Sequence, residues 1–373
     1  MLYRFGSMRR VVAGCSAVCL GLMLIGCRGE VPEGTGEAAT GDGKLKRIVI
    51  LTNGDNPFWD PCEAGAMEAF RDLKLEEAGY LVSFERANFT VKGQLDKLKQ
   101  YSLATDVVAL GISVYDNTSP AISSALKKLK ESGIKIITID GDIDREHDRD
   151  VRFAYLGTDN IIGGRELGRA AKGLRAAGGK YAIFVGNKGN ANAKARIQGF
   201  AEGAGSTFQE VESLEDGGKP EVARKTVRDA LDRHPEIDTL VGIWAYNGPA
   251  AVQIATERGI RNKVTILTFD ADEGSIRAME EGNLDAMVVQ NPFNMGYQGV
   301  RLLKALVENE ESVITEMFPD YQKPGGDQYR TGLKVVVPNE GSPLKKEMFE
   351  PETEFLNLDA FKVWLKKYNL KSS

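Results

Sequence analysis

From Arg47 onward, apolar and polar positions fall into two kinds of block that take turns along the chain. Short runs rich in β-branched residues are nearly continuous in apolar character: "RIVIL", "YLVSFE", "VVALGISV", "IKIITID", "FAYLG", "KYAIFVG", "TLVGIWA", "VTILTFD" and "LDAMVVQ". Between most of them lie longer segments with apolar residues at helical spacing, among them "PCEAGAMEAFRDLKLEEAG", "SPAISSALKKLKESG", "IIGGRELGRAAKGLRAAG", "EVARKTVRDALDRHP", "GPAAVQIATERG" and "SIRAMEEG". A strand that is apolar at every position is buried on both faces, and an amphipathic helix supplies the cover. The pattern therefore predicts α/β architecture, with parallel sheets between helices. Gly79, Gly133, Gly178, Gly259 and Gly282 stand where helical segments need a left-handed cap.

There are too many strands for one ordinary sheet. The break falls in the charged loop "REHDRDVRFAYLGTDN", Arg145 to Asn160, which separates two similar sets. The expectation is two doubly wound parallel-sheet lobes, and a chain of 373 residues accommodates roughly two domains of ~150. In such sheets ligands bind beyond the carboxyl ends of the strands, so the loops there are where function should be sought.

Those loops share one chemistry. The first strand ends in "ILTNGDNPFWD", which sets Asn56, Phe58 and Trp59 side by side before a helix. Later strand ends carry Ser113 and Asp116, then Asp140 and Asp142 in "TIDGD", then Asn192, Lys194 and Arg196 in "GNANAKARIQGF". Tyr246 and Asn247, Asp270, and finally Gln290 and Asn291 follow. A sugar or polyol requires such a set. Each hydroxyl both donates and accepts, so planar carboxylate, amide and guanidinium groups can engage neighbouring hydroxyls in pairs. The C–H face of a sugar ring packs on an aromatic side chain, a part that Phe58 and Trp59 can play. Each group also has a plainer use. Ser113 and Asp116 are turn formers, Asp55 or Asn56 can cap the helix near Pro57, Phe58 can be core, and Lys194 and Arg196 can solvate a helix face.

Charge and motifs remove other classes. Lys+Arg 48 against Asp+Glu 53 gives a net charge of −5, without the basic face that nucleic-acid binding uses. No strand is followed by G-x-G-x-x-G, and G-x-x-x-x-G-K-[ST] and G-x-S-x-G are absent, so no nucleotide cofactor is expected. His147 and His234 stand apart in polar turns, and no metal-ligand spacing is present. Cys62 reads as a small core residue. The pair Asp140 and Asp142 leaves open acid–base work on a glycoside.

The N-terminal segment reads as an export signal: Arg9 and Arg10 precede the short apolar run "VVAGCSAVCLGLMLIG". Its end, "LIGC", resembles a bacterial lipobox. That implies cleavage before Cys27 and lipidation of its thiol, anchoring an exported protein on a bacterial membrane; a single uncleaved anchor helix is the alternative. Residues 28–46 have no hydrophobic period and read as a flexible tether.

Taken in order, several segments resemble the ribose-binding-protein-like branch of the type I periplasmic binding proteins: "NPFW", "IKIITID", "YLGTDNIIGGRELG", "NAKARIQGF", "ILTFDAD" and "VVQNPFNMGYQGV". The resemblance runs from about Arg47 to Leu333. It implies a first lobe of 47–155 with about 292–330, a second of 156–291 with about 331–345, and three crossovers between them. Residues 346–373 form an extension whose "LNLDAFKVWLKKYNL" predicts a helix packed on one lobe. Carried over by position, the implied ligand contacts are Asn56, Phe58, Trp59, Asp140, Asn247, Asp270 and Gln290, with Ser113 less firmly aligned.

The departures from the family matter. Asp140-Gly141-Asp142 stands where relatives have Asp-Arg, and Lys194 where a binding arginine is usual. The ring expected after a strand near Leu214 is missing, a gap that Trp244 or Tyr246 can fill. Ribose is therefore not the expected ligand; another neutral sugar, a polyol or a cyclitol is. The implied function is a monomeric lipoprotein, without cofactor, that closes on such a ligand and delivers it to ABC permease subunits. The alternatives are a sensing subunit for a membrane kinase or chemoreceptor and, further off, a glycoside-acting enzyme.

Overall fold

The computed structural model describes residues 45–373. The export-type segment, Cys27 and almost all of the tether lie outside the described residues. Among the described residues no helix is long and apolar enough to cross a membrane.

Two sheets account for the alternation. The first contains β1 (Lys46–Leu51), β2 (Tyr80–Glu85), β3 (Val107–Ile112), β4 (Lys135–Ile139), β5 (Tyr155–Gly157) and the late strand β11 (Gln328–Arg330), in the order β11-β5-β4-β3-β1-β2 and wholly parallel. The second contains β6 (Gly179–Val185), β7 (Phe208–Glu215), β8 (Thr239–Gly242), β9 (Thr265–Phe269), β10 (Ala286–Val289), β12 (Lys334–Val337) and β13 (Glu354–Asn357). Its order is β13-β12-β10-β9-β8-β6-β7, with only β12 antiparallel to β10. Apart from β13, which has no counterpart, the orders correspond, so β4 and β9 occupy equivalent places.

The continuous apolar runs exist because each central strand feeds two cores. Ile48 and Ile50 enter one cluster, while Val49 and Leu51 enter the cluster on the opposite face. In the second sheet Ala182 and Phe184 face one way, and Tyr181, Ile183 and Val185 the other. The covering helices of the first lobe are α1 (Trp59–Asp72), α2 (Val91–Leu103) and α3 (Pro120–Glu131). Those of the second are α4 (Asn160–Leu174), α5 (Ala191–Ala204), α6 (Pro220–Arg233), α7 (Asn247–Glu257) and α8 (Glu273–Glu280). Then α9 (Pro292–Glu308) and α10 (Glu311–Met317) return to the first lobe, and α11 (Leu358–Lys367) follows β13.

The chain passes between the sheets after β5, after β10 and between β11 and β12. Some elements escape the hydrophobic pattern. Edge strand β7, "FQEVESLE", buries only Phe208 fully, and α2 buries only Gln94, Leu98 and Tyr101. Its start is fixed instead by Thr90, whose hydroxyl oxygen accepts from the Gly93 N–H at 2.9 Å. Residues 346–373 do more than attach a helix: β13 extends the second sheet parallel to β12.

Candidate binding cleft

Equivalent aspartates begin the loops after β4 and β9. Asp140 has φ 60 and Asp270 φ 63, a left-handed conformation that non-glycine residues hold only where their surroundings impose it. Each amide still completes the sheet ladder: the Asp140 N–H donates to the Leu156 carbonyl at 3.0 Å, and the Asp270 N–H to that of Val288 at 2.7 Å. The strand thus ends in register while the chain turns sharply at a carboxylate. In the first lobe the turn is locked from beside. The Gly141 N–H donates to Ser113 Oγ at 3.2 Å, and Gln94 bridges the carbonyls of Thr52 and Ser113 and the N–H of Tyr115.

The second lobe surrounds Asp270 with polar groups in a dense setting. Gln290 Nε2 donates to its carboxylate at 3.0 Å, and Gln290 Oε1 accepts from the Thr158 hydroxyl at 2.8 Å. Arg196 is almost fully buried. Its Nε donates to Asn160 Oδ1 at 2.8 Å and its Nη1 to the Ile243 carbonyl at 3.2 Å. The guanidinium lies 3.8 Å from the Phe269 ring centre and 3.9 Å from the Asp270 carboxylate. Charges from the two lobes act on one another. Burial pushes the Asp140 carboxyl up to about 6, with Asp270 adding to the rise and Arg196 opposing it. Burial likewise raises Asp270 and lowers Arg196. Tyr155, silent in the sequence, places its hydroxyl 3.2 Å from the carbonyls of both Asp140 and Thr158, where the first lobe hands over to the second.

Several predicted ligand groups are used otherwise. Asp142 is turned to the scaffold: Arg152 grips both its oxygens at 2.7 and 2.8 Å, and Arg145 and Thr138 add to the set. Burial alone would raise its pKa, but these partners hold it below the ordinary value. That removes it from the expected ligand set and dismantles the acid–base pair with Asp140. Trp59 is 1 % exposed, a core side chain in the first turn of α1. Of the two expected rings only Phe58 keeps partial exposure, set edge-on to Trp59 at 5.0 Å. The carboxylates of that loop have a structural use, since Arg86 bonds Asp55, Asp60 and Glu63 at 3.0, 2.7 and 2.9 Å. Asn56 is exposed and contributes its carbonyl to the same arginine.

Tyr246 and Asn247 both bond Asp216, which the sequence presented as a mere gap where a ring was expected. Asn247 Oδ1 also accepts from the Trp244 N–H at 3.0 Å. With Tyr246 engaged, Trp244 is the ring left on this side: a Cβ added to Gly186 would lie 1.9 Å from its edge, so only glycine admits it there. Trp244 Nε1 and Asn192 Oδ1 are buried without protein partners. Lys194 is exposed.

A cavity of about 810 Å³ lined by Lys130, Lys135, Arg149, Phe153 and Tyr321 lies toward the opposite ends of the first-lobe strands. It holds none of these groups, and Arg149 there is already paired with Asp327 at 2.9 Å. Among the described residues no cluster of His, Cys, Asp or Glu could hold a metal ion. The strand ends thus present carboxylates, an amide, a shielded guanidinium and partly exposed rings, a set that can bind a neutral polyhydroxylated molecule from two sides.

Residues 47–311 match the model of the periplasmic binding protein domain. Over 286 residues the chain is 24% identical to the D-allose-binding periplasmic protein of Escherichia coli (strain K12), covering 74% of this chain and 88% of that one. It is 22% identical over 267 residues to the ribose import binding protein RbsB of the same organism, covering 70% and 85%. Its fold is similar to that of GanP, a glucose-galactose binding protein from Geobacillus stearothermophilus, with a TM-score of 0.67 at 23% identity over 79% of this chain and 98% of that one. With two matching sheets, three passages between them and a family match that spans both, the chain belongs to the periplasmic binding protein family.

Proposed function

We propose that this protein is the substrate-binding component of an ABC-type importer and captures a small sugar, polyol or cyclitol between its lobes. The observation that carries this reading is the pair of left-handed aspartates that end equivalent strands, Asp140 in the first lobe and Asp270 in the second, with the charges of Arg196 and Asp270 both acting on the Asp140 carboxyl. Names of the relatives favour it, since they bind allose and ribose. The lobes divide as 47–155 with about 292–330 and 156–291 with about 331–345. The ligand contacts we assign are Phe58, Ser113, Asp140, Asp270 and Gln290, with Asn56, Asn192, Lys194, Arg196 and Asn247 at the margins and Trp244 supplying the second ring. Closure is a rotation about the passages between lobes, stabilised only when ligand reaches both. No bond is made or broken.

Lipidation at Cys27 would hold the folded unit beside the membrane on its tether, where a permease can receive the ligand. Cys27→Ser is then expected to move the protein from the membrane fraction to the soluble one. Equilibrium dialysis against pentoses, hexoses, polyols and cyclitols tests the rest. One or two compounds should be retained and recovered chemically unchanged; recovery of a cleaved or isomerised product would replace binding with catalysis.

A further inference from the structure

The segment beyond β12 has no part in the symmetric two-lobed plan, yet its end is built into the candidate cleft. Phe361 and Leu365 of α11 enter the second-lobe core, and Trp364 stacks on Phe361 with its ring 4.5 Å from the ammonium of buried Lys334. After the helix the chain stays against the protein. The Tyr368 ring lies 3.9 Å from the Phe293 ring, which belongs to α9 and hence to the first lobe. The Ser373 N–H donates to the Ala271 carbonyl at 3.0 Å, and a main-chain oxygen of Ser373 accepts from the Ala271 N–H at 2.8 Å. Ser373 Oγ donates to the Gln290 carbonyl at 3.3 Å. Ser372 and Ser373 are 9% and 4% exposed, as buried as core residues.

The residues touched are well chosen for influence on binding. Ala271 directly follows Asp270, whose left-handed backbone is strained for a non-glycine residue and persists only if its neighbours are fixed. Ala271 is itself fully buried, so its N–H and carbonyl need the partners that Ser373 supplies. Gln290 is hydrogen-bonded to Asp270 and directly follows β10, where the chain turns back to the first lobe. Phe293 stands at the start of the helix after that return, so the Tyr368 contact ties the two lobes beside a hinge.

We propose that Tyr368–Ser373 is a positioning strap for the cleft: it holds the backbones of Ala271, the residue after Asp270, and of Gln290, and fastens the second lobe to α9, so that ligand retention depends on a segment that touches no ligand. The effect on affinity rests on the reading of the cleft as a sugar site; the effect on backbone order does not.

Two arms separate these. In the ligand-free protein, amide hydrogen exchange is compared among wild type, a variant lacking 370–373, Tyr368→Ala, and Val363→Ala on the exposed face of α11 as control. Exchange over residues 269–273 and 288–292 should quicken in the first two variants, with that of β8 and of the control unchanged. Unaltered exchange there would overturn the strap whatever the ligand. For any sugar that binds wild type, the same two variants should bind at least ~5-fold more weakly through faster dissociation; an unchanged dissociation constant would also overturn it. If wild type binds no sugar, the cleft reading fails while the exchange arm still decides the strap. Should the shortened chain not fold, Ser373→Pro, which removes the donor to Ala271, takes its place.

Discussion

At the scale of single residues, Asp140, proposed above as a ligand contact, costs the fold stability. Its carboxyl is pushed from 3.8 up to about 6, first by burial and then by Asp270. The unfolded chain therefore loses this proton near pH 4 and the folded chain near pH 6. The penalty for ionising Asp140 is full above about pH 6 and fades as the pH falls toward 4. Asp140→Asn removes it. We expect this variant to be about 2 kcal/mol more stable than wild type at pH 7.5, with the gap closing near pH 4, and to bind the ligand at least ~10-fold more weakly. Melting curves between pH 4 and 8 check the first part and titration the second; a gap independent of pH contradicts the assignment. Asp142 is its opposite. Asp142→Ala leaves the fully buried Arg152 guanidinium short of one partner and should cost about 3–5 kcal/mol in urea unfolding, with ligand affinity of the folded protein little changed. The sequence could not separate these two aspartates. They sit two apart in a turn, where strand alternation no longer assigns faces, and Arg152 lay hidden in a charged loop that reads as a solvated spacer. Arg196 was legible as a strand-end cation, but not as one shielded over Phe269.

At the scale of elements, helices α1 and α9 cross so closely that side chains are excluded at the contact. A Cβ on Gly65 would lie 1.9 Å from the Phe293 carbonyl oxygen, and one on Gly296 1.9 Å from that of Cys62. Gly296→Ala is expected to cost about 1–3 kcal/mol, read as a lower denaturant midpoint at unchanged slope. This crossing joins the helix that carries Phe58 at its start to the helix that returns from the second lobe. Central strands and the helices between them were readable because each strand is buried on two faces and each helix on one. Strand β7 and helix α2 were not, since an edge strand and a shallow helix bury too few residues to set a period. The pairing of β13 with β12 is a long-range contact that no local pattern carries.

At the scale of the molecule, the two lobes are built on equivalent sheets that each end a strand in a left-handed aspartate, and the proposed polyhydroxylated ligand bridges them. Such a ligand binds the native state alone, so it must raise stability by RT ln(1 + [L]/Kd), or ~4 kcal/mol at ~1,000 times Kd. The most direct measurement is the melting temperature of the chain from Lys44 onward against pentoses, hexoses, polyols, cyclitols and furanosyl compounds. A clear rise is expected with one or two of them, abolished by Asp140→Ala and by Asp270→Ala, one from each lobe. No rise with any compound, or a rise that survives both substitutions, would contradict the proposed bridging.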